Sequence, residues 1–288
     1  AGLEKTEIPS LSDLGFNDFT PDQKDLNHFI GGENQALCHL NEFIWEKDLL
    51  KTYKETRNQM LGKDYSSKLS PYLSLGSISP RTVYFQVKKY EAERVQNEST
   101  YWLIFELLWK DYFYFIALKF GIRMFKRCGI KHDLIKTWKR NKEHFKMWME
   151  GRTGVPIIDA VMVELKTTGY ISNRGRQLVA SFFTKDLNLE WWWGAMYFES
   201  QLIDYEVCSN WGNWNYIAGI GTDPRHDRYF NPIGQAKKYD PEAKFIKYWL
   251  PQLSDISPSD IIDITPLEKL IGEGTDYPNK SIPKNKRW

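Results

Sequence analysis

A chain of 288 residues, 42% of them hydrophobic, can bury a sizeable core as one large domain or two small ones, and a net charge of +2 demands no polyanionic partner globally. It has no apolar run of about 18 residues, which excludes a helical membrane span, and Ala1-Gly2-Leu3-Glu4-Lys5 lacks the apolar stretch of a signal peptide. Cys38, Cys128 and Cys208 are odd in number and lack CxxC spacing, so they read as reduced, mostly buried thiols of a soluble intracellular protein; no metal site is expected.

Residues 1–25, with Pro9, Ser10, Gly15 and Pro21, read as an arm or linker. Ala36, Leu37, Leu40, Phe43 and Ile44 give a helical period from Glu33 to Lys47. Ser79-Pro80 is an N-cap followed by a first-turn proline and opens a helix reaching about Arg94. Residues 99–120 are apolar on most faces, which predicts a helix deep in the core. Amphipathic helices fit 141–150, 155–168, 173–187 and 194–203, and Pro241 is expected to open one that ends at Leu250. Alternating β-branched runs and internal repeats are lacking, so the reading is a single all-α domain over 26–255. An extension over 256–288, rich in Gly, Pro, Lys and Asn from about 272, is expected to be partly loose.

Aromatic residues are abundant, with 12 Trp, 16 Tyr and 16 Phe making 15% of the chain. Such a share fits a ring-rich core, but also a flat aromatic ligand, stacked bases or redox-active rings, and composition does not choose among them. Four segments narrow the choice. In the first, Asp64-Tyr65-Ser66-Ser67-Lys68-Leu69-Ser70-Pro71, hydroxyls and amides cluster with a lysine before a helix, an arrangement that can cradle phosphate. In the second, Glu106-Leu107-Leu108-Trp109-Lys110-Asp111, a carboxylate and an indole sit one turn apart on an apolar helix. A buried acid is unfavourable unless paired or functional. The third runs from Gly151-Arg152-Thr153-Gly154 to Asn173-Arg174-Gly175-Arg176. The fourth runs from Asp204-Tyr205-Glu206 through Cys208-Ser209-Asn210-Trp211-Gly212-Asn213-Trp214 to Asp223-Pro224-Arg225 and Arg228.

In this order and spacing the four segments resemble the FAD-binding helical domain of photolyases and cryptochromes over roughly residues 8–253. The Asp204–Trp214 stretch and Lys54-Glu55-Thr56-Arg57-Asn58 point to the DASH branch. The resemblance implies an all-α domain holding FAD folded into a U. Tyr53, Ser66, Ser67, Lys68, Leu69 and Ser70 match positions at the phosphates and ribityl chain. Asn173 matches the contact to adenine and lesion, Arg176 and Asp204 an ion pair against the isoalloxazine, Glu206 its pyrimidine edge and Asn210 the residue at N5. Trp138, Trp191 and Trp214 match an electron relay from the surface, whereas Trp192 and Trp193 read as packing.

The activity implied is blue-light electron transfer from FADH⁻ to a cyclobutane pyrimidine dimer flipped out of the stack. Glu106, in an apolar pocket that favours its protonated form, Asn173 and Trp109 serve the dimer. Lys110, Arg174, Tyr216, Arg225 and Arg228 form the DNA-binding rim. The expected partner is DNA, preferably single-stranded, with RNA left open, and no antenna pigment is implied within this chain. Asn173 and Gln177 stand where the branch that repairs (6–4) photoproducts carries a histidine pair, which argues against that lesion. Tyr114 replaces a commonly basic position, Lys110 an arginine, and His226 an acid. Two other classes stay open: a photoreceptor or redox flavoprotein without repair activity, and a nucleic-acid-binding module with FAD as a structural cofactor.

Overall fold

The structure, a computed structural model, describes residues 9–17, 20, 22–131, 136–225, 228–264, 276–278, 282 and 287–288. The expectation for His226 lies outside these. The first half carries α1 Glu33–Asn41, extended by a π-helical turn to Glu46, then α2 Tyr53–Thr56, α3 Ser70–Ser74, α4 Pro80–Glu93 and the long α5 Glu98–Phe120. The second half carries α6 Lys142–Glu150, α7 Pro156–Thr168, α8 Asn173–Ser181 with a π-helical turn to Asp186, α9 Trp191–Gln201, α10 Val207–Ala218, α11 Pro232–Tyr239, α12 Lys244–Trp249 and α13 Pro258–Ile262. Among the described residues the strand-like pairing amounts to one isolated parallel bridge, Lys139 to Leu189. The all-α expectation holds.

Local chemistry sets the helix starts. The Ser79 hydroxyl accepts the Arg81 amide at 3.2 Å with Pro80 in the first turn of α4. Asn97 accepts the Ser99 and Thr100 amides at 2.9 and 3.1 Å, while the Thr100 hydroxyl accepts the Asn97 amide at 3.2 Å, closing a capping box ahead of α5. Packing then sorts the helices into two apolar clusters. Leu40, Ile44, Leu50, Val83, Val87 and Leu103 anchor one, and Trp148, Ile158, Val179, Phe183, Trp191 and Trp214 anchor the larger. The functional cleft lies between them, with α2, α3 and α5 on one side and α8 and α10 on the other.

Two glycines allow this closeness. A Cβ on Gly194 of α9 would lie 2.2 Å from Cη2 of Trp214, and one on Gly212 of α10 would lie 2.2 Å from Cδ1 of Phe113. Gly194→Ala is therefore expected to lose about 1–3 kcal/mol through overpacking. A urea midpoint equal to wild type would show that the Trp214 ring can move aside.

Several expectations need correction. α5 is not deep in the core: Tyr101, Leu108, Tyr112, Phe115 and Leu118 are exposed, while Leu103 and Phe113 are its buried large residues. Apolar character all round the helix reports neighbours on one side and an open face on the other. Cys38 and Cys128 are exposed and Cys208 half-buried, so the thiols are not mostly buried. Pro241 does not open a helix; α12 starts at Lys244, and Asp240 accepts the Phe245 and Ile246 amides at 3.0 Å each. α10 falls outside the expected helices, since Asn210, Gly212, Asn213 and Asn215 are poor helix formers that tertiary packing overrides.

The extension is docked wherever it is described. Tyr277 is buried and donates from its hydroxyl to Asp159 Oδ2 at 2.7 Å, the Ile282 amide donates to the Thr153 carbonyl at 2.8 Å, and the Trp288 ring stacks on Phe182 at 6.1 Å. Fully buried Asp159 also accepts from the Thr153 amide, the Thr153 hydroxyl and the Gly154 amide at 2.7, 2.7 and 2.9 Å. Burial pushes its carboxyl up to about 6 against these donors. A folded-state pKa raised above the unfolded value favours folding at acid pH, and that contribution is lost as pH rises through about 6. Tyr277→Phe removes one donor from the ionised form and is expected to cost about 1–2 kcal/mol at pH 8 and less at pH 5. Equal losses at both values would mean that Asp159 does not titrate in this range.

Candidate functional site

The cleft between the two clusters has a volume of about 500 Å³. On its α3 side, Lys68 is left-handed (φ 48°) and Leu69 right-handed (φ −80°), a sequence of conformations that turns successive amides toward one point. Ser67, Lys68 and Leu69 are buried, and among the described residues no acceptor takes their amides. Lys68 belongs to this loop, and its amine is engaged within the protein. Its ammonium bonds to the Asn27 side chain and, at 2.7 Å, to the Gly62 carbonyl, which fixes the loop from behind. Burial pulls this amine down to about 8, with Glu164 of α7 opposing the shift. The loop thus offers backbone donors and the hydroxyls of Ser66 and Ser70, with Tyr53 alongside.

Opposite, α8 and the turn before α10 supply a buried ion pair. Arg176 donates through both terminal nitrogens to Asp204, at 3.0 and 2.8 Å, and through Nε to the Ile171 carbonyl at 3.1 Å. Burial works against the Arg176 charge, but Asp204 outweighs it and raises the guanidinium further. Glu206 caps α10, accepting the Cys208 and Ser209 amides at 2.9 Å each and the Ser209 hydroxyl at 2.6 Å. Against its burial, these bonds hold the carboxyl below its ordinary range. Asn173, Arg176, Asp204 and Glu206 also border a second space of about 100 Å³ that reaches Asn210 and Trp214. The Asn210 side chain donates through Nδ2 to the Ala195 carbonyl at 3.1 Å, which fixes its orientation beside that slot.

At the cleft mouth Glu106 and Trp109 of α5 face Tyr216 of α10, with 6.1 Å between the Trp109 and Tyr216 rings. The residue that sequence reasoning missed as a site member is Arg57, which holds Glu106 Oε1 at 2.6 Å. Its signal was present in the Lys54–Asn58 stretch, but that α2 faces α5 is a tertiary fact. Burial raises the Glu106 carboxyl, and Arg57 opposes it without cancelling the shift.

Rim residues behave differently from one another. Arg174 is packed between Phe230 and Tyr239, 5.5 and 4.7 Å from their rings, and bonds Asn58 at 3.0 Å. Arg228 bonds Asp223 at 2.5 Å and the Tyr216 hydroxyl at 2.8 Å. Lys110 sits 3.7 Å from Glu206. Arg225 is exposed and does not line the cleft, its backbone amide bonding Asp223 at 3.0 Å.

Trp138, Trp191 and Trp214 are all buried. The Lys139–Leu189 bridge and the bond from the Glu190 amide to the Lys139 carbonyl at 3.0 Å bring Trp138 beside the start of α9, where Trp191 sits. Gly194, three residues on, lies against Trp214, which borders the slot. Trp211 lies 5.6 Å from Trp191 and Trp148 lies 6.4 Å from Trp214.

The family described as the FAD binding domain of DNA photolyase matches residues 102–287. The chain belongs to this family. It is 51% identical to a cryptochrome DASH of Gloeobacter violaceus over 97% of this chain and 57% of that protein. Its fold resembles a solved Synechocystis cryptochrome, with a TM-score of 0.88 at 48% identity over 95% of this chain and 58% of that one. It also resembles an archaeal photolyase of Sulfolobus tokodaii, solved with two FAD molecules, with a TM-score of 0.72 at 35% identity over 93% and 56%. The chain thus spans somewhat over half the length of these relatives.

FAD is the cofactor of this domain, and the cleft fits it. The acceptor-free amides at Ser67–Leu69 suit a diphosphate, and the charge-balanced Arg176–Asp204 pair offers donors and acceptors along one wall. Among the described residues no helix is long and apolar enough to cross a membrane.

Proposed function

We propose that this chain is the light-driven electron-transfer part of a flavoprotein that repairs cyclobutane pyrimidine dimers in single-stranded DNA. The observation that carries this reading is the Arg57-held Glu106 set across from Tyr216 and beside Trp109, at the mouth of a cleft that continues to Asn210 and Trp214. The chemistry that FAD would supply in this cleft, when reduced and excited by blue light, is the loan of one electron to the dimer's cyclobutane ring. Everything else is done by the chain's own groups.

The Ser66–Ser70 loop and Arg176–Asp204 hold and orient the cofactor. Trp109 and Tyr216, whose rings meet edge to face at 82°, line the mouth that a flipped pair of bases enters, where stacking compensates for lost neighbours. Glu106, its carboxyl raised by burial against the pull of Arg57, is set to bond a pyrimidine carbonyl, and Arg57 fixes its position. Asn173 lies on the same wall as Arg176 and donates to the dimer or the adenine. Trp138, Trp191 and Trp214 form the path that resupplies an electron from the surface.

Flipping two linked bases from a duplex costs a few kcal/mol, which a single strand avoids. The test is photorepair of one dimer-containing oligonucleotide, free and annealed, at equal reduced-flavin content and light dose. Repair is expected to be much more efficient on the free strand, and Glu106→Gln is expected to lower the repair yield more than the affinity. Equal repair of both forms would contradict the single-strand preference. No repair of either, with reduced flavin confirmed by absorbance, would leave a photoreceptor.

A further inference from the structure

The apolar residues of α5 that leave the core are ordered along the helix. Tyr101, Phe105, Trp109, Tyr112 and Phe115 follow one another at intervals of four, four, three and three residues, so they share one face, and Lys119 continues it one turn later. Neighbouring rings touch: Tyr101 to Phe105 at 6.0 Å and nearly parallel at 27°, Phe105 to Trp109 at 6.1 Å, and Trp109 to Tyr112 at 5.2 Å. Phe105 and Trp109 line the cleft, whereas Tyr101, Tyr112 and Phe115 are 54%, 37% and 63% exposed. At about 1.5 Å rise per residue the band from Tyr101 to Phe115 is about 21 Å long, so it overruns the cleft mouth at both ends.

The geometry points to a stacking track for the unpaired bases that flank the lesion in a single strand. This inference rests on the nucleic-acid reading above and deepens it. Two observations select bases over other occupants. The band runs ring to ring from Tyr101 to Tyr112, with Phe115 one turn beyond on the same face and Trp109 inside the cleft, so a strand whose dimer enters there has its neighbours over these rings. On α5 no lysine or arginine stands between Lys110 and Lys119, so this stretch offers a duplex no row of cations for its phosphates while offering unpaired bases exposed aromatic side chains. Stacking tolerates any base sequence, as suits a site that must accept a dimer in any context. Leu118 and Ile122, exposed beyond Phe115, are aliphatic and lie outside the band.

The test measures binding of the FAD-loaded protein to a labelled single strand carrying one dimer, and to the same strand with abasic positions flanking it, which keep the phosphates and remove the bases. Wild type is expected to bind the abasic-flanked strand about tenfold more weakly, equivalent to about 1.4 kcal/mol. Tyr112→Ala/Phe115→Ala, at exposed positions, is expected to lose about tenfold on the intact strand and little more on the abasic one, with flavin content and melting temperature unchanged, while Tyr112→Phe binds as wild type does. Equal wild-type affinity for both strands would overturn the track. So would a double variant that binds normally but changes the sedimentation of the protein, which would assign this face to a protein contact. Failure of wild type to bind either strand would instead overturn the nucleic-acid reading itself.

Discussion

Arg176→Ala is expected to abolish FAD retention and to destabilise the domain. Asp204 is buried and takes both terminal nitrogens of Arg176, so the substitution leaves a carboxylate without its counter-ion. Removing one member of a buried pair costs about 3–5 kcal/mol, and the lower end applies here because the Arg176 side chain is 26% open to the cleft. The Nε bond to the Ile171 carbonyl is lost as well, which loosens the turn entering α8. Arg176→Lys should be intermediate, because a lysine keeps the charge but cannot make the two-pronged bond. The measurements are flavin absorbance after gel filtration and the urea midpoint. A yellow alanine variant with the wild-type midpoint would show that the pair neither holds the cofactor nor supports the fold.

Trp214→Phe is expected to reduce photoreduction of the oxidised flavin by an external donor to baseline while leaving FAD bound. Trp214 is buried, borders the slot beside Asn210, and packs on Phe198 at 5.2 Å and Phe183 at 5.7 Å. Phenylalanine preserves much of that packing but is far harder to oxidise. The neighbouring Trp148, 6.4 Å from Trp214, gives the experiment its control, since Trp148→Phe alters the same packing without touching the proposed path. Photoreduction at the wild-type rate in Trp214→Phe would show that the electron travels elsewhere. A large loss in Trp148→Phe would place that ring on the path.

Much of the fold was legible in the chain because its helices carry local signals. The Ser79-Pro80 start and the period from Glu33 to Lys47 need no tertiary information, and α4 and α1 with its π-turn appear where expected. The errors arose where the environment decides. Apolar residues all around α5 imply burial only if neighbours exist on every side, and here one face stays open. The α10 sequence is locally poor in helix propensity and forms because Glu206 caps it and Gly212 lets it lie against Phe113. Within the site, residue types marked the loop and Glu106, and the resemblance marked the ion pair. Which groups meet was not legible: Arg57, just after α2, reaches Glu106 of α5 on the same side of the cleft, Lys68 engages Asn27 and the Gly62 carbonyl with its amine, and Arg225 stays outside the cleft. Docking of Tyr277 onto Asp159 likewise depends on two positions 118 residues apart.

Whether the cleft of this chain holds FAD is decided by acid release of bound flavin from the purified protein. One FAD per chain is expected from a coloured protein, with the Arg176→Ala variant colourless under the same preparation. A colourless wild-type chain that remains folded and takes up no flavin on incubation with FAD would show that the cleft is not a flavin site.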